Sequence, residues 1–311
     1  MLDLAIMIEG QDGLNWERWK RLASAAEGLG FAGLFRSDHF TNADGPHRDA
    51  LELWTSLTWL ACETRRIEFG PLVAPVSFRH PVIAAWTAAA IDDLSGGRLR
   101  LGLGAGWQER EHRSHGFDLL DTEGRFRRLE EALTVVTRLL RSDEPVAFAG
   151  AFYRLEDAFL LPRPARPGGP PIVVGGNGPR RTLPLAARFA DEWNGVYLQA
   201  DRFAELSATL DELLDRQGRP RAEVRRTVMT RVVIGRDEPE VRRKLNGDPD
   251  TLRERGVVFG TPAQIVDQLG RLAEAGVQRL MAQWLDMDDL DGLDLLAASI
   301  LPHFPTAVPS R

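Results

Sequence analysis

The fold class this sequence predicts is α/β, a (β/α)8 TIM barrel with an insertion between the fourth helix and the fifth strand. Three observations carry that expectation. Eight short apolar runs begin near residues 2, 31, 67, 99, 171, 193, 226 and 278, and each is followed by a helical pattern. Short buried strands alternating with helices mean a parallel sheet, and eight such units close into a barrel, whereas a doubly wound open sheet usually has fewer strands. The 311 residues fit one barrel with additions, and no repeat of solenoid period competes with the eightfold rhythm.

The elements follow in order. Residues 2–8 read as the first strand, and residues 15–29 as a helix with Trp16, Trp19, Leu22, Ala23, Ala26 and Leu29 near helical spacing. Asn15 is its N-cap candidate and Gly30 its C-terminal stop. Strands at 31–36, 67–73 and 99–103 alternate with helices at 49–62, 81–94 and 124–140. From 142 to 170 the rhythm breaks into turn residues with Phe148, Phe152, Tyr153 and Leu155, ending in a proline-rich stretch. Segments this long without helix are uncommon and often functional, so this one reads as an inserted hairpin or lid. Strands at 171–174, 193–197, 226–234 and 278–284 then alternate with helices at 179–190, 201–217, 262–275 and 290–304. Two shorter helical pieces, at 239–245 and 251–256, lie between the seventh strand and the helix at 262. Thr261 caps that helix, with Pro262 in its first position. Residues 1–304 therefore read as a single barrel domain, and 305–311 as a frayed tail.

Composition narrows the function classes. Hydrophobic residues make up 43% and charged residues 27%, the proportions of an ordinary globular protein. Cys62 is the only cysteine, so no internal disulfide or cysteine-rich zinc site can form. The formal charge of -6 argues against a nucleic-acid-binding surface. Lys20 and Lys244 are the only lysines, so 39 minus 2 leaves 37 arginines, and a Schiff-base mechanism has two candidates. The start of the chain lacks the pattern of a secretory leader, and no run of 18 apolar residues occurs. The expectation is a cytoplasmic protein with no membrane partner. His39, His47, His80, His112, His115 and His303 form neither an H-x-H nor an H-E-x-x-H pattern, so no metal site is expected. A G-x-S-x-G nucleophile elbow is also missing.

A barrel places function just after its strands, on the carboxyl-terminal face. Four segments fall there. Asp38 and His39, in Ser37-Asp38-His39-Phe40, put an acid beside an imidazole, a pair that either moves a proton or satisfies local backbone groups. Gly102-Leu103-Gly104-Ala105-Gly106-Trp107 is too short for a dinucleotide fingerprint; its glycines admit a flat ligand beside Trp107 or serve a tight turn. Gly175-Gly176-Asn177-Gly178-Pro179-Arg180-Arg181-Thr182 leads glycines into a helix start, where backbone amides and Arg180 or Arg181 suit a cofactor phosphate. Pro71 to His80 supplies an irregular wall after the third strand.

Together these residues resemble the luciferase-like monooxygenase superfamily. The likeness rests on Ser37-Asp38-His39-Phe40, Pro75-Val76-Ser77-Phe78-Arg79-His80-Pro81, Leu94-Ser95-Gly96-Gly97-Arg98 and Gly104-Ala105-Gly106-Trp107. It extends through Gly175-Gly176-Asn177-Gly178, Ala186-Ala187-Arg188-Phe189-Ala190-Asp191 and Gly260-Thr261-Pro262-Ala263-Gln264, and so spans nearly the whole chain. The resemblance implies a (β/α)8 barrel, a homodimer and a flavin or deazaflavin at the carboxyl-terminal face. The Asp-His-Phe triplet is similar to that of the branch using coenzyme F420, which favours this deazaflavin over FMN and hydride transfer over oxygenation. It implies that Asp38 lies near the ring, His39 at the hydride-transfer centre, and a cis peptide at Leu72-Val73 behind the ring. Gly106, Trp107, Gly175 and Arg181 belong to the implied cofactor site, with the amides of Gly176, Asn177 and Gly178 on the phosphate. Sugar-phosphate dehydrogenases of the superfamily carry a glutamate where this chain has Trp107 and use lysines for the phosphate, so glucose 6-phosphate is a poor fit. The expected partner is an apolar or aromatic small molecule, held between Trp107 and the insertion around Phe152 and Tyr153. The alternative is an FMN-dependent luciferase-like monooxygenase.

Overall fold

The structure is a computed structural model and describes residues 2–304; Met1 and the tail expected to fray lie outside the described residues. Strands and helices alternate from the start: β1 Asp3–Ile8, α1 Trp16–Leu29, β2 Gly33–Arg36, α2 Leu53–Glu63, β3 Glu68–Pro71, β4 Ala74–Pro75 and α3 Pro81–Ser95. The order continues with β5 Leu101–Gly104, α4 Glu109–His115, α5 Thr122–Arg141, β6 Val146–Ala149, β7 Arg154–Ala158, β8 Ile172–Gly175, α6 Thr182–Phe189 and β9 Glu192–Val196. The last elements are α7 Ala200–Arg216, β10 Arg225–Ile234, α8 Glu238–Lys244, α9 Pro249–Glu254, β11 Val258–Gly260, α10 Pro262–Glu274, β12 Arg279–Gln283 and α11 Leu290–Ile300.

The main sheet runs β3-β2-β1-β12-β10-β9-β8-β5-β4, and all its pairs are parallel. Its two ends are the two halves of one barrel strand. β3 pairs with β2 and β4 pairs with β5, so the third strand changes partners where the chain turns at Leu72 and Val73. A bridge between Phe69 and Leu99 completes the closure. Glycines permit it: a Cβ on Gly70 would lie 1.9 Å from the Arg100 carbonyl oxygen, and one on Gly102 would lie 2.1 Å from that of Pro71. All eight anticipated strands are present, the third of them divided.

Several boundaries differ from expectation for local reasons. The helix expected from residue 49 starts at Leu53, because Glu52 caps it through the Thr55 amide. The helix expected from Pro179 starts at Thr182, since Pro179 and Arg180 form a turn. Asp121 caps α5, which starts at Thr122, two residues ahead of the expected start. Helix α4 and the short strand β11, which extends the sheet beside β10, were not anticipated.

The insertion contains a hairpin, β6 with β7, and lies against α5 and α3. Glu131 of α5 accepts from the amides of Ala151, Phe152 and Tyr153 at its tip, and Arg163 donates to the carbonyls of Leu139 and Leu140. Tyr153 is only 8% exposed, with its ring edge-on to His80. Phe152 packs on the main core. These two aromatics, expected to wall the substrate pocket, pack the hairpin onto the core. No helix among the described residues is long and apolar enough to cross a membrane.

Candidate active site

The inward side chains change character along the barrel. At the amino-terminal ends of the strands they are charged and mutually paired. Asp3 meets Arg225 and Arg279 at 2.6 Å each, and Glu68 meets Arg100 and Arg279 at 2.6 Å each. The middle is apolar, with Ala5, Met7, Phe35, Val173, Met229 and Met281 in one cluster. Leu72 joins that cluster, and Val73 packs against it. The carboxyl-terminal ends carry the candidate site.

On the side of the third to fifth barrel strands the wall is glycine and aliphatic. The Leu72-Val73 peptide is cis, as the resemblance implies. The Val73 side chain sits where side chains on its neighbours would be: a Cβ on Gly104 would lie 2.4 Å from Val73 Cγ2, and on Gly102 and Gly175 it would lie 3.0 and 3.4 Å from Cγ1. Gly102 and Gly104 are therefore filled by protein and not by a ligand. Gly106 has φ 77°, a left-handed conformation suited to glycine, and a Cβ there would press on Ser77 and His112. Its carbonyl accepts from Arg125 at 3.0 Å. Trp107 next to it is 61% exposed, and its ring meets that of His39 edge-on at 5.7 Å.

His39 stands on a buried carboxylate that sequence reasoning left out of the site. Its Nδ1 lies 2.8 Å from Oε1 of Glu111, and the other Glu111 oxygen accepts from the Phe40 amide at 3.0 Å. Glu111 comes from α4, beyond Gly106 and Trp107, and is fully buried. A carboxylate acceptor makes His39 Nδ1 the donor, so Nε2 is left without a protein partner among the described residues. Burial lowers the His39 pKa, but the hydrogen bond and charge of Glu111 outweigh it and hold the value above that of a free imidazole.

Asp38 is placed differently from its neighbour. It is 3% exposed, and its oxygens accept from Arg79 at 2.5 and 3.4 Å. Arg79 also reaches Glu52 at 2.9 Å, so this pair ties the loops after the second and third barrel strands to the start of α2. Arg36 is another buried support missed in the sequence. It donates to Ser37 O, Leu51 O and Ser56 Oγ, and burial lowers its pKa to about 10.

The loop after β8 splits the expected phosphate contacts. The Gly176 amide donates to Asn194 O at 2.9 Å, so it is spent within the barrel. The Asn177 side chain bridges to both polar groups of Val196, at 2.7 and 2.8 Å, and so holds the loop in place. The amides of Asn177 and Gly178 find no protein acceptor among the described residues. A Cβ on Gly178 would lie 3.0 Å from Thr182 Oγ1 at the start of α6, so bare backbone is what fits there. This cradle fits a phosphate oxygen. Arg180 and Arg181 are exposed, and the Arg181 guanidinium lies 5.9 Å from the Phe126 ring centre.

The remaining strand ends form a polar chain. Gly10 N donates to Ser37 Oγ at 2.9 Å, Ser37 Oγ to Gln11 at 2.7 Å, and Gln11 to Glu9 at 2.9 Å. From the other side Tyr197 donates to Gln283, whose amide reaches Glu9 at 2.6 Å. Glu9, Gln283 and Tyr197 had no sequence signal beyond their place after strands. No three His, Cys, Asp or Glu side chains come together to hold a metal among the described residues. A cavity of about 470 Å3 opens between the start of α7, β11 and α10, lined by Gln199, Phe259 and Gln268, away from this chemistry. The groups that could act on a reactant are at the strand ends.

The model of the luciferase-like monooxygenase family matches residues 6–247. The chain belongs to that family. A relative from Intrasporangium calvum, an F420-dependent glucose-6-phosphate dehydrogenase, is 28% identical over 316 residues, covering 89% of this chain and 91% of the relative. A 4-hydroxyprotoasukamycin monooxygenase from Streptomyces nodosus subsp. asukaensis is 32% identical over 205 residues, 66% of this chain and 53% of the relative. The solved structure of an F420-dependent secondary alcohol dehydrogenase in complex with an F420-acetone adduct superposes with a TM-score of 0.85 at 20% identity, covering 97% and 99% of the two chains. At that identity the likeness establishes the luciferase-like barrel fold.

Proposed function

We propose that the protein is an oxidoreductase exchanging hydride between coenzyme F420 and an organic small molecule. The observation that carries this reading is His39, with Nδ1 committed to buried Glu111 and Nε2 left to a reactant, beside Trp107 at the strand ends. The full-length F420-dependent relative and the Asp38-His39-Phe40 triplet support the deazaflavin over FMN. When bound, the cofactor supplies the hydride acceptor or donor, and the protein positions it and manages protons.

In this reading Leu72 and Val73 back the ring, and the Asn177 and Gly178 amides hold the phosphate, with Arg181 adding charge. Gly175 admits the Val73 side chain, and Gly106 lets the chain turn towards Trp107 against Ser77 and His112. His39 gives a proton from Nε2 to the substrate oxygen in a reduction and removes one in an oxidation, and Glu111 stabilises its charged form. Asp38 is a positioning residue, holding the His39 loop through Arg79. Trp107 walls an apolar or aromatic substrate. The working form is a cytoplasmic homodimer, with Ile83 and Trp86 exposed on α3 as contact candidates. Titrating cofactor-free protein with F420 and with FMN tests the cofactor assignment. Assaying His39→Ala with a panel of alcohols, ketones and enones tests the proton role.

A further inference from the structure

We infer that His47 and Arg110 form an acid-released clasp on the loop that carries His39, both acting as positioning residues. The clasp goes beyond the reaction assigned above, and its effect on cofactor entry alone rests on that reading. Residues 39–47 follow β2 at the carboxyl-terminal end of the barrel, and α4 with the residue before it grips them in order. Glu111 holds the His39 ring at 2.8 Å and the Phe40 amide at 3.0 Å. Gln108 Nε2 donates to Thr41 O at 2.9 Å. Arg110 Nη1 donates to Asn42 O at 3.2 Å and to Gly45 O at 2.8 Å, and its Nη2 lies 3.2 Å from His47 Nε2. Further on, Asp49 O accepts from the Gly13 amide at 3.0 Å, which ties the segment to the loop after β1. Thr41 is buried, whereas residues 43–49 are exposed, so the tip depends on these polar contacts.

The clasp admits one protonation state. A guanidinium can only donate, so His47 Nε2 accepts. The neutral ring then carries its proton on Nδ1, which donates to Thr41 Oγ1 at 2.8 Å. A second proton would set one N–H against another and place two positive charges side by side. Thr41 and Arg110 are the side-chain partners of the ring among the described residues. The other charged groups on the elements that meet there are Asp44, Arg48 and Asp49 on the segment, Glu109 and Arg113 on α4, and Asp12 after β1. None of these bonds the His47 ring among the described residues, so no carboxylate offsets the added charge. The two ends of the segment therefore answer acid in opposite ways. Protonation strengthens the bond of His39 to Glu111 and removes that of His47 to Arg110. Falling pH releases the tip while the root at His39 stays held.

Hydrogen exchange of residues 40–49, read by mass spectrometry on the whole protein, tests the clasp without any ligand. Unmodified protein, His47→Ala and His47→Gln are compared with one another at about pH 8 and again at about pH 5.5, the two sides of the histidine range, so the intrinsic pH dependence of exchange cancels. At the higher pH the unmodified segment should be protected about tenfold or more over His47→Ala, the fold-change of one lost charge-assisted bond. At the lower pH the two should match. His47→Gln, whose amide oxygen accepts from Arg110 at either pH, should restore protection at both. Unmodified protein that matches His47→Ala at the higher pH, or stays above it at the lower, would overturn the inference. The association rate of F420 adds a functional reading: it should rise on acidification in the unmodified protein and stay flat in His47→Gln. Acid release of the segment in a protein that binds no F420 would sink the cofactor reading and leave the clasp standing.

Discussion

The two ends of this barrel use the same strands and opposite electrostatics. At the amino-terminal end Asp3, Glu68 and Glu192 face Arg100, Arg225 and Arg279, three charges of each sign within one layer. Each acid has an arginine within 4 Å, so the layer neutralises itself and offers nothing to a ligand. At the carboxyl-terminal end, among the described residues, His39 keeps a ring nitrogen without a partner, two amides after β8 lack acceptors, and Arg231 and Arg255 lack carboxylates. One end spends its polar groups on closing the barrel, and the other holds them for a reactant. Substitutions should therefore separate cleanly, with stability lost at one end and activity at the other.

The largest expected effect is at the open end. His39→Ala should lower hydride transfer by about 10²- to 10⁴-fold, the range of a lost general acid or base, with a smaller loss of stability, from the partner that Glu111 loses, than substitution at the closed end. A comparable loss of stability in that variant would break the comparison. At the closed end Arg279→Met should cost about 3–5 kcal/mol in denaturant unfolding, because Asp3 and Glu68 lose a buried partner. The surviving folded fraction should bind cofactor normally. Next comes the socket that joins the two ends: Gly104→Ala, whose Cβ would lie 2.4 Å from Val73, should cost about 1–3 kcal/mol and also weaken cofactor binding.

The smallest effects are in pH dependence, and they have opposite signs. Burial would raise the Glu68 pKa, but Arg279 and Arg100 pull it down to about 2. Its contribution is present above the ordinary carboxylate value and fades as pH falls through about 2, so Glu68→Gln should flatten the acid limb of stability. His39 has a raised pKa, so its contribution is complete below the ordinary imidazole value and is lost as pH rises through the raised one. Glu111→Gln should move the pH profile of hydride transfer to lower pH. An unmoved profile would show that Glu111 does not set the state of His39.

The sequence exposed the frame because barrel strands are apolar runs and their helices carry a 3.6-residue period. It also pointed to His39 and to the loop from Gly175 to Gly178, which lie directly after strands. It hid Glu111 because α4 has no apolar stripe, and that carboxylate gains meaning only from His39, 72 residues away. The same limit applies to Asp38. Its adjacency to His39 suggested a shared task, but successive residues leave the strand in different directions and Asp38 faces Arg79. Gly102 and Gly104 suggested a ligand where the occupant is Val73, a contact set by closure of the barrel. The charged layer was not read from the sequence, because one charged residue near the start of six strands gains meaning only once the strands close.

The central claim is that the open end is built around a deazaflavin. Its most direct test is equilibrium titration of cofactor-free protein with F420 and with FMN, followed by fluorescence. The account predicts saturable binding of one F420 per chain, weakened by Gly178→Ala, and no comparable affinity for FMN. Tight binding of FMN with none for F420 would contradict it.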